Sequence, residues 1–268
     1  MKVILSRKGF DSKNGGMPSP ILPDGTLLSL PIPSPLDTEK FSRLKYCEKT
    51  YLEIIKELKP RTKIKDRILL PVEEVNELHR TMADYWNKFI KIRKVYGENH
   101  VKIDTAYDIY EKAYYRYEKV FQKFKKIYKE EGGDDCHLDP DLRRGIRPRE
   151  KGWRPLFGQA SRAQTILNKN EVSIDDLFLF FGWFRKVQKN REGKYVPMKD
   201  EPDLHVIYGY LQVGKIFSMD DYSPSDIPKW MQYHSHADKM ISGSIYAARD
   251  KLSFAPKYHG GGMLQLPS

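Results

Sequence analysis

The chain has 268 residues and carries 47 Lys and Arg against 36 Asp and Glu, a formal charge of +11 and a pI near 9.3. With 40% hydrophobic and 12% aromatic residues and a mean hydropathy of −0.65, the composition excludes both a disordered chain and a membrane-spanning one. Cys47 and Cys136 cannot build a disulfide framework, and Val3-Ile4-Leu5 is followed at once by Arg7 and Lys8, too short an apolar run for a leader; a cytoplasmic protein with no membrane partner is expected.

Residues 1–35 are punctuated by Gly9, Gly15, Gly16, Pro18, Pro20, Pro23 and the Asp24-Gly25 turn, which predicts tight wrapping around short strands at 2–6 and 26–32. From 39 to 131 the pattern turns helical. Apolar positions recur in steps of three and four at Leu44, Cys47, Tyr51, Ile54 and Leu58, then at Val75, Leu78, Met82, Tyr85, Phe89, Ile92 and Tyr96. A third set, Tyr107, Tyr110, Tyr114, Tyr117, Phe121, Phe124 and Tyr128, completes three helices with a bundle seam. Pro71 stands where the second helix begins and Gly132-Gly133 where the third ends, and residues 97–104 link these two as antiparallel neighbours. The aromatic stripe reads as packing core, and residues 42–131 are also where self-association is expected. A short helix over 159–168 and buried strands over 176–184, 205–217 and 244–249 follow. Gly209 and Gly214 predict bulges or strong coiling in the second of these strands. The expected fold class is a single α+β domain: a small, barrel-like, mostly antiparallel sheet from 1–38 and 132–268, with 39–131 as a three-helix insertion.

Four groups of residues can carry chemistry. In Ser6-Arg7-Lys8-Gly9-Phe10-Asp11-Ser12 a hydroxyl, two cations and a carboxylate flank a glycine, which suits a phosphate and equally suits a salt-bridged turn. In His137-Leu138-Asp139-Pro140-Asp141 a histidine and two carboxylates fall within five residues, fit for acid–base work or for a turn. A metal is not expected there, since Cys136 points away from His137 on an extended strand and zinc sites seldom use adjacent residues. Between Arg143 and Asn170 eight cations, Arg143, Arg144 and Arg154 among them, face the single acid Glu150, a net of +7 in 28 residues. A phosphate backbone is the natural partner of such a loop, with Trp153 and Phe157 to pack against sugars or bases; a solvated basic face is the competing account. His234 and His236 share a face of an extended chain and are weak metal candidates, because two imidazoles do not fill a shell unless carboxylates or His205 join them. The chain has no phosphate loop, dinucleotide glycine fingerprint, paired-cysteine motif or Gly-x-Ser-x-Gly elbow, so no cofactor is assigned.

The segments at 6–12, 15–33 (Gly-Gly-Met-Pro-Ser-Pro-Ile-Leu-Pro-Asp-Gly-Thr-Leu-Leu-Ser-Leu-Pro-Ile-Pro), 137–142, 152–160 (Gly-Trp-Arg-Pro-Leu-Phe-Gly-Gln-Ala), 176–185 and 203–214 resemble the third of the nucleotide modification associated domains. The resemblance runs from residue 6 to about 246, and the Lys/Tyr-rich segment 42–131 departs from it. It implies an association with DNA base modification, and it places functional residues at Ser6, Arg7, Lys8, Asp11, His137, Asp139, Asp141, Arg154, Gln159, His205, His234 and His236. The succession of a helix, Asp-Leu-Phe-Leu-Phe-Phe-Gly and a strand ending Gln-Val-Gly-Lys-Ile is similar to the small pseudouridine-synthase-associated β-barrel, an analogy of fold alone. Two functions stand side by side. One is an enzyme acting on DNA, with Ser6, Arg7, Lys8, Arg143, Arg144 and Arg154 toward phosphate, Gln159 toward a base edge, and Asp11, His137, Asp139, Asp141 and His205 in catalysis. The other is a non-catalytic reader that grips modified DNA through the barrel and the basic loop, with Trp153, Trp183 or Phe184 as walls for a flipped base.

Overall fold

The computed structural model describes residues 1–34, 37–58, 72–96, 101–131, 133–219, 221–222, 226–238 and 243–267. In chain order the elements are β1 (Val3–Arg7), β2 (Ser19–Ile21), β3 (Ile32–Pro33), β4 (Lys45–Tyr46), β5 (Lys49–Thr50) and α1 (Tyr51–Leu58), then the long helices α2 (Val72–Tyr96) and α3 (Val101–Glu131). There follow β6 (Cys136–His137), β7 (Leu156–Ala160), α4 (Ser161–Lys169), β8 (Leu177–Lys189), β9 (Tyr195–Pro197), β10 (Leu204–Ser218), α5 (Ser235–Asp238), β11 (Gly243–Ala248) and β12 (Gly261–Met263). Two units result, one formed by Met1–Asp66 with Asp134–Ser268 and the other by Arg67–Gly133.

In the first unit the aromatic run of β8 alternates as a strand must, and Phe178, Phe180 and Phe184 are fully buried on one face. They pack with Phe157 of β7 and Tyr246 of β11. The strand order is β1-β8-β10-β11-β7, with β12 also on β10 and β2 and β9 also on β8. Only β1 and β2 run parallel to their neighbour, so the sheet is mostly antiparallel. Among the described residues β7 does not pair back to β1. The register of β10 shifts between Ile207 and Gly209 and again between Val213 and Lys215, at the two glycines. At Gly214 a Cβ would lie 2.7 Å from the Arg249 backbone nitrogen, so no larger residue lets the strands approach this closely.

Two local expectations are corrected. The strand expected over 26–32 is instead a buried loop, in which Thr26 and Leu27 make single bridges to Gln265 and Ile21, and Ile32 at its end begins the short pairing of β3 with β6. Prolines 20, 23, 31 and 33 deprive this stretch of ladder donors, and Leu28 and Leu30 satisfy their N–H groups on the Pro20 carbonyl and the Ser19 hydroxyl. The helical spacing from Leu44 is broken by the β4–β5 hairpin, with Cys47 at φ +50°, and the helix begins at Tyr51. Its start is a capping box: the Glu53 N–H donates to Thr50 Oγ1 (3.2 Å) while Glu53 Oε2 accepts the Thr50 N–H (2.7 Å).

In the second unit α2 and α3 lie antiparallel, joined by aromatic contacts between Trp86 and Tyr110, Phe89 and Tyr107, and His79 and Tyr117. Tyr117 is buried, whereas Tyr107 and Tyr114 are exposed at 43% and 39%, so only part of the expected stripe is core. Pro71 and Gly132 and residues 97–100 of the expected link lie outside the described residues, as do the side chains of Phe124 and Tyr128. No helix among the described residues is long and apolar enough to cross a membrane.

Candidate functional site

All the residues of interest here belong to the first unit. Lys8 leaves the end of β1, where its N–H is fixed on the Phe181 carbonyl of β8 (2.9 Å), and its side chain crosses the Phe157 ring 4.6 Å from the centroid. Its ammonium meets Asp139 Oδ2 at 2.7 Å. The other oxygen, Oδ1, accepts the N–H of Gly158 on β7 at 2.7 Å. The Asp139 side chain is wholly buried. Burial by itself strongly favours the neutral acid, but Lys8, with His234 and His236 behind it, outweighs that and holds the carboxyl well below the usual carboxylate range.

Three imidazoles surround this carboxylate. His236 Nε2 stands 3.9 Å from Oδ2, and His234 Nε2 stands 3.4 Å from Oδ1. The latter contact has ion-pair distance but misses hydrogen-bond alignment, so the buried His234 Nε2 has no hydrogen-bond partner among the described residues. His137 packs edge-to-face on His236 with 5.2 Å between centroids, and its Nδ1 is 3.1 Å from the buried carboxylate of Asp37. Burial pushes the His236 imidazole down to about 3, so it is neutral near pH 7. Gly158 makes the arrangement possible, for a Cβ there would lie 2.3 Å from His236 Cδ2 and 2.9 Å from His234 Cε1. One nitrogen from His137, one from His236 and one Asp139 oxygen all lie within 4.8 Å of one another, a donor set able to hold a metal ion. Beside the cluster a cavity of about 30 Å³, room for one water, is lined by Gly9, Ser29, Asp139 and Tyr208; the buried Tyr208 hydroxyl has no hydrogen-bond partner among the described residues.

Other sequence-predicted residues lie elsewhere. Asp141, two residues on, has both oxygens bound by Arg149 at 2.5 Å, with Arg147 at 3.5 Å, and its backbone pairs with Leu156. Asp11 closes its own turn by accepting the N–H groups of Lys13 and Asn14 at 2.7 Å. Ser6 is half-buried within β1, Arg7 is exposed at its end, and His205 is exposed on β10 opposite Trp183. Gln159 is half-buried on β7 opposite Ser244. Arg143 stacks on Tyr46 at 5.0 Å. No described hydrogen bond or ion pair links any of these to Asp139.

The basic loop forms a separate cleft of about 510 Å³ lined by Arg144, Trp153, Arg154, Arg249, Lys251 and His259. Arg144 donates to the Trp153 carbonyl (3.0 Å), and Arg154 donates to the Ala248 carbonyl (3.2 Å) and pairs with Asp250. Trp153 Nε1 and Arg154 Nε are buried without hydrogen-bond partners among the described residues. Trp153 is 5% exposed under the Arg149 and Arg144 guanidiniums, and Phe157 and Phe184 are fully buried. These three rings are core, which removes them as stacking platforms, because apolar burial is worth more to the fold than an exposed ring is.

Asp37, Phe157 and Gly158 complete the site without having been singled out for it. Asp37 lies 100 residues before the histidine it orients, in a proline-rich stretch that carries no periodic signal, and the β3–β6 pairing together with the Lys40–Asp135 bridge brings it near.

The chain matches the family described as nucleotide modification associated domain 3 over residues 2–79 and 97–266, and it belongs to that family. The match includes Lys8, Asp37, His137, Asp139, Gly158, His234 and His236. No curated protein and no solved structure is similar enough to match it.

Proposed function

We propose that this member of the nucleotide modification associated domain 3 family modifies a base or nucleotide of DNA, with the Asp139 cluster as the reacting centre and the Arg144–Arg154 cleft as a phosphate grip. The observation that carries the reading is the convergence of Lys8, His137, His234 and His236 on one fully buried carboxylate. Burying that many titratable groups is unfavourable for stability, and such arrangements concentrate where chemistry is done. His137, with Nδ1–H toward Asp37, keeps the lone pair of Nε2 for a substrate proton, and the Asp37 carboxylate stabilises the imidazolium that forms. Lys8, fixed by Asp139 and the Phe157 ring, places a positive charge beside any anion that enters. Arg144, Arg154, Arg249 and Lys251 set four cations around the cleft, a charge suited to phosphate oxygens.

The cleft alone would serve a reader, and one experiment separates the two roles. Nucleosides are measured by mass spectrometry in DNA from cells carrying the parent chain, His137→Ala, Lys8→Ala or the pair Arg154→Ala and Lys251→Ala. Loss of one modified nucleoside, or build-up of its precursor, in the first two variants is expected. Profiles identical to those of cells lacking the gene in every case sink the enzyme and leave salt-dependent DNA binding, weakened by the cleft variants, as the reader's signature.

A further inference from the structure

We propose that His137, Asp139 and His236 form a binding site for one divalent first-row transition cation of the zinc type. The inference deepens the reading of the same centre, though it stands on donor geometry and not on any reaction. The three ligand atoms lie within 4.8 Å of one another, whereas ligands at about 2.1 Å from a tetrahedral zinc stand roughly 3.4 Å apart. Side-chain shifts of about 1 Å therefore close the set on a cation.

Four features of the surroundings fit a cation. Asp37 holds Nδ1 of His137, which leaves Nε2 as the ligating atom, a role that replaces proton acceptance by that nitrogen while a cation is bound; a carboxylate behind a metal-bound histidine is the usual way its tautomer and ring plane are set. His234, 1% exposed, turns an unpartnered nitrogen toward the carboxylate that would ligate. Two imidazoles with one carboxylate are the ligand set that leaves a coordination position for water or a substrate oxygen. Gly158 provides the space in which His234 and His236 lie side by side, 5.7 Å between centroids.

Lys8 is the competing cation. Its ammonium takes one lone pair of Asp139 Oδ2, and the remaining lone pairs of the carboxylate stay available to a metal. Charge repulsion between an ammonium and a divalent ion makes removal of Lys8 favourable to metal binding. The sequence pattern concealed this set because it does not use the adjacent pair Cys136 and His137: the second imidazole comes from 99 residues later, and the carboxylate joins the two.

The test uses the full chain without a polyhistidine tag, stripped with a chelator and titrated with Zn²⁺ or Co²⁺, with metal content read by mass spectrometry and Co²⁺ coordination by its visible absorption. One equivalent per chain is expected, with a four- or five-coordinate Co²⁺ spectrum. His137→Ala and His236→Ala each weaken binding more than tenfold, His205→Ala leaves it unchanged, and Lys8→Met keeps or tightens it. Asp37→Asn, which leaves all three ligands in place, weakens binding by about 10-fold or more and serves if the ligand variants fail to fold. Absence of stoichiometric binding, or binding equal to the parent's in both His137→Ala and His236→Ala, overturns the site and leaves Lys8 as the carboxylate's cation. Metal binding intact in a chain whose loss alters no nucleoside sinks the proposed reaction alone. A modified nucleoside that depends on a chain unable to bind metal sinks the cation alone.

Discussion

Asp139 and Asp141 stand two residues apart in one motif and both are buried, yet they are held in different ways. Asp141 is gripped by both nitrogens of Arg149, with Arg147 alongside, and among the described residues no ion pair joins it to an imidazole. Asp139 has one ammonium and one backbone N–H at short range and imidazoles held 3.4 and 3.9 Å away, too far to be satisfied by it. A carboxylate whose partners are complete is a strut. One whose partners are near but incompletely engaged is placed to receive something else. The difference also separates two kinds of basic residue: Arg147 and Arg149 are consumed inside the protein, whereas Arg154 and Lys251 line an open cleft.

The comparison predicts a graded series of effects. Asp141→Ala strands the Arg149 guanidinium, 5% exposed, and is expected to cost about 3–5 kcal/mol. Urea unfolding reads it, and a midpoint like the parent's would deny Asp141 its role as a strut. Gly158→Ala forces a methyl onto His236 and His234; a loss of about 1–3 kcal/mol is expected, together with loss of the modified nucleoside. A variant that unfolds with the parent and retains modification would show that the imidazoles need not lie where they do.

A third carboxylate supplies a reference held mainly by backbone. Asp176 accepts the N–H groups of Lys2 (2.6 Å) and Ser173 (2.9 Å); burial would raise its pKa, but these bonds and the charge of Lys2 lower it on balance. A carboxyl whose folded pKa is depressed adds stability above its unfolded value of 3.8, and that share is lost as pH falls through the folded value. Asp176→Asn is accordingly expected to be less stable than the parent by about 1 kcal/mol at pH 7, with the gap narrowing below pH 3.8. Urea midpoints at the two pH values check it, and a gap independent of pH would mean the charge plays no part. The smallest effect belongs to Tyr208→Phe. Removing a buried hydroxyl without a hydrogen-bond partner is expected to change stability by less than about 0.5 kcal/mol in either direction. A larger loss in the same unfolding assay would reveal a partner for this hydroxyl, the Ser29 side chain or a molecule in the cavity beside Asp139.

Much of the sheet was legible because its signals are local. The Phe alternation marks β8, and Gly209 and Gly214 mark the bulges of β10, since period-two burial and a missing Cβ act at single positions. The Thr50–Glu53 capping box was equally present in the sequence, but the apolar spacing that ran on through Leu44 and Cys47 hid it. Spacing alone cannot say where a helix begins when the residues before it turn as a hairpin.

At the candidate site, residue type alone established which chemistries were on hand. Lys8, His137, Asp139, His234 and His236 were all marked by residue type, because titratable side chains beside glycines and prolines are conspicuous in any reading. Which of them would meet was decided by tertiary structure alone. The β1–β8, β3–β6 and β7–β11 pairings carry Lys8, Asp37, His137 and Gly158 to Asp139, and among the described residues no hydrogen bond or ion pair links Asp11, Asp141 or His205 to it. The physical reason is that a buried carboxylate is satisfied by whichever donors the strand register delivers to within about 3 Å, and register is a property of long-range pairing that neighbouring residues do not record.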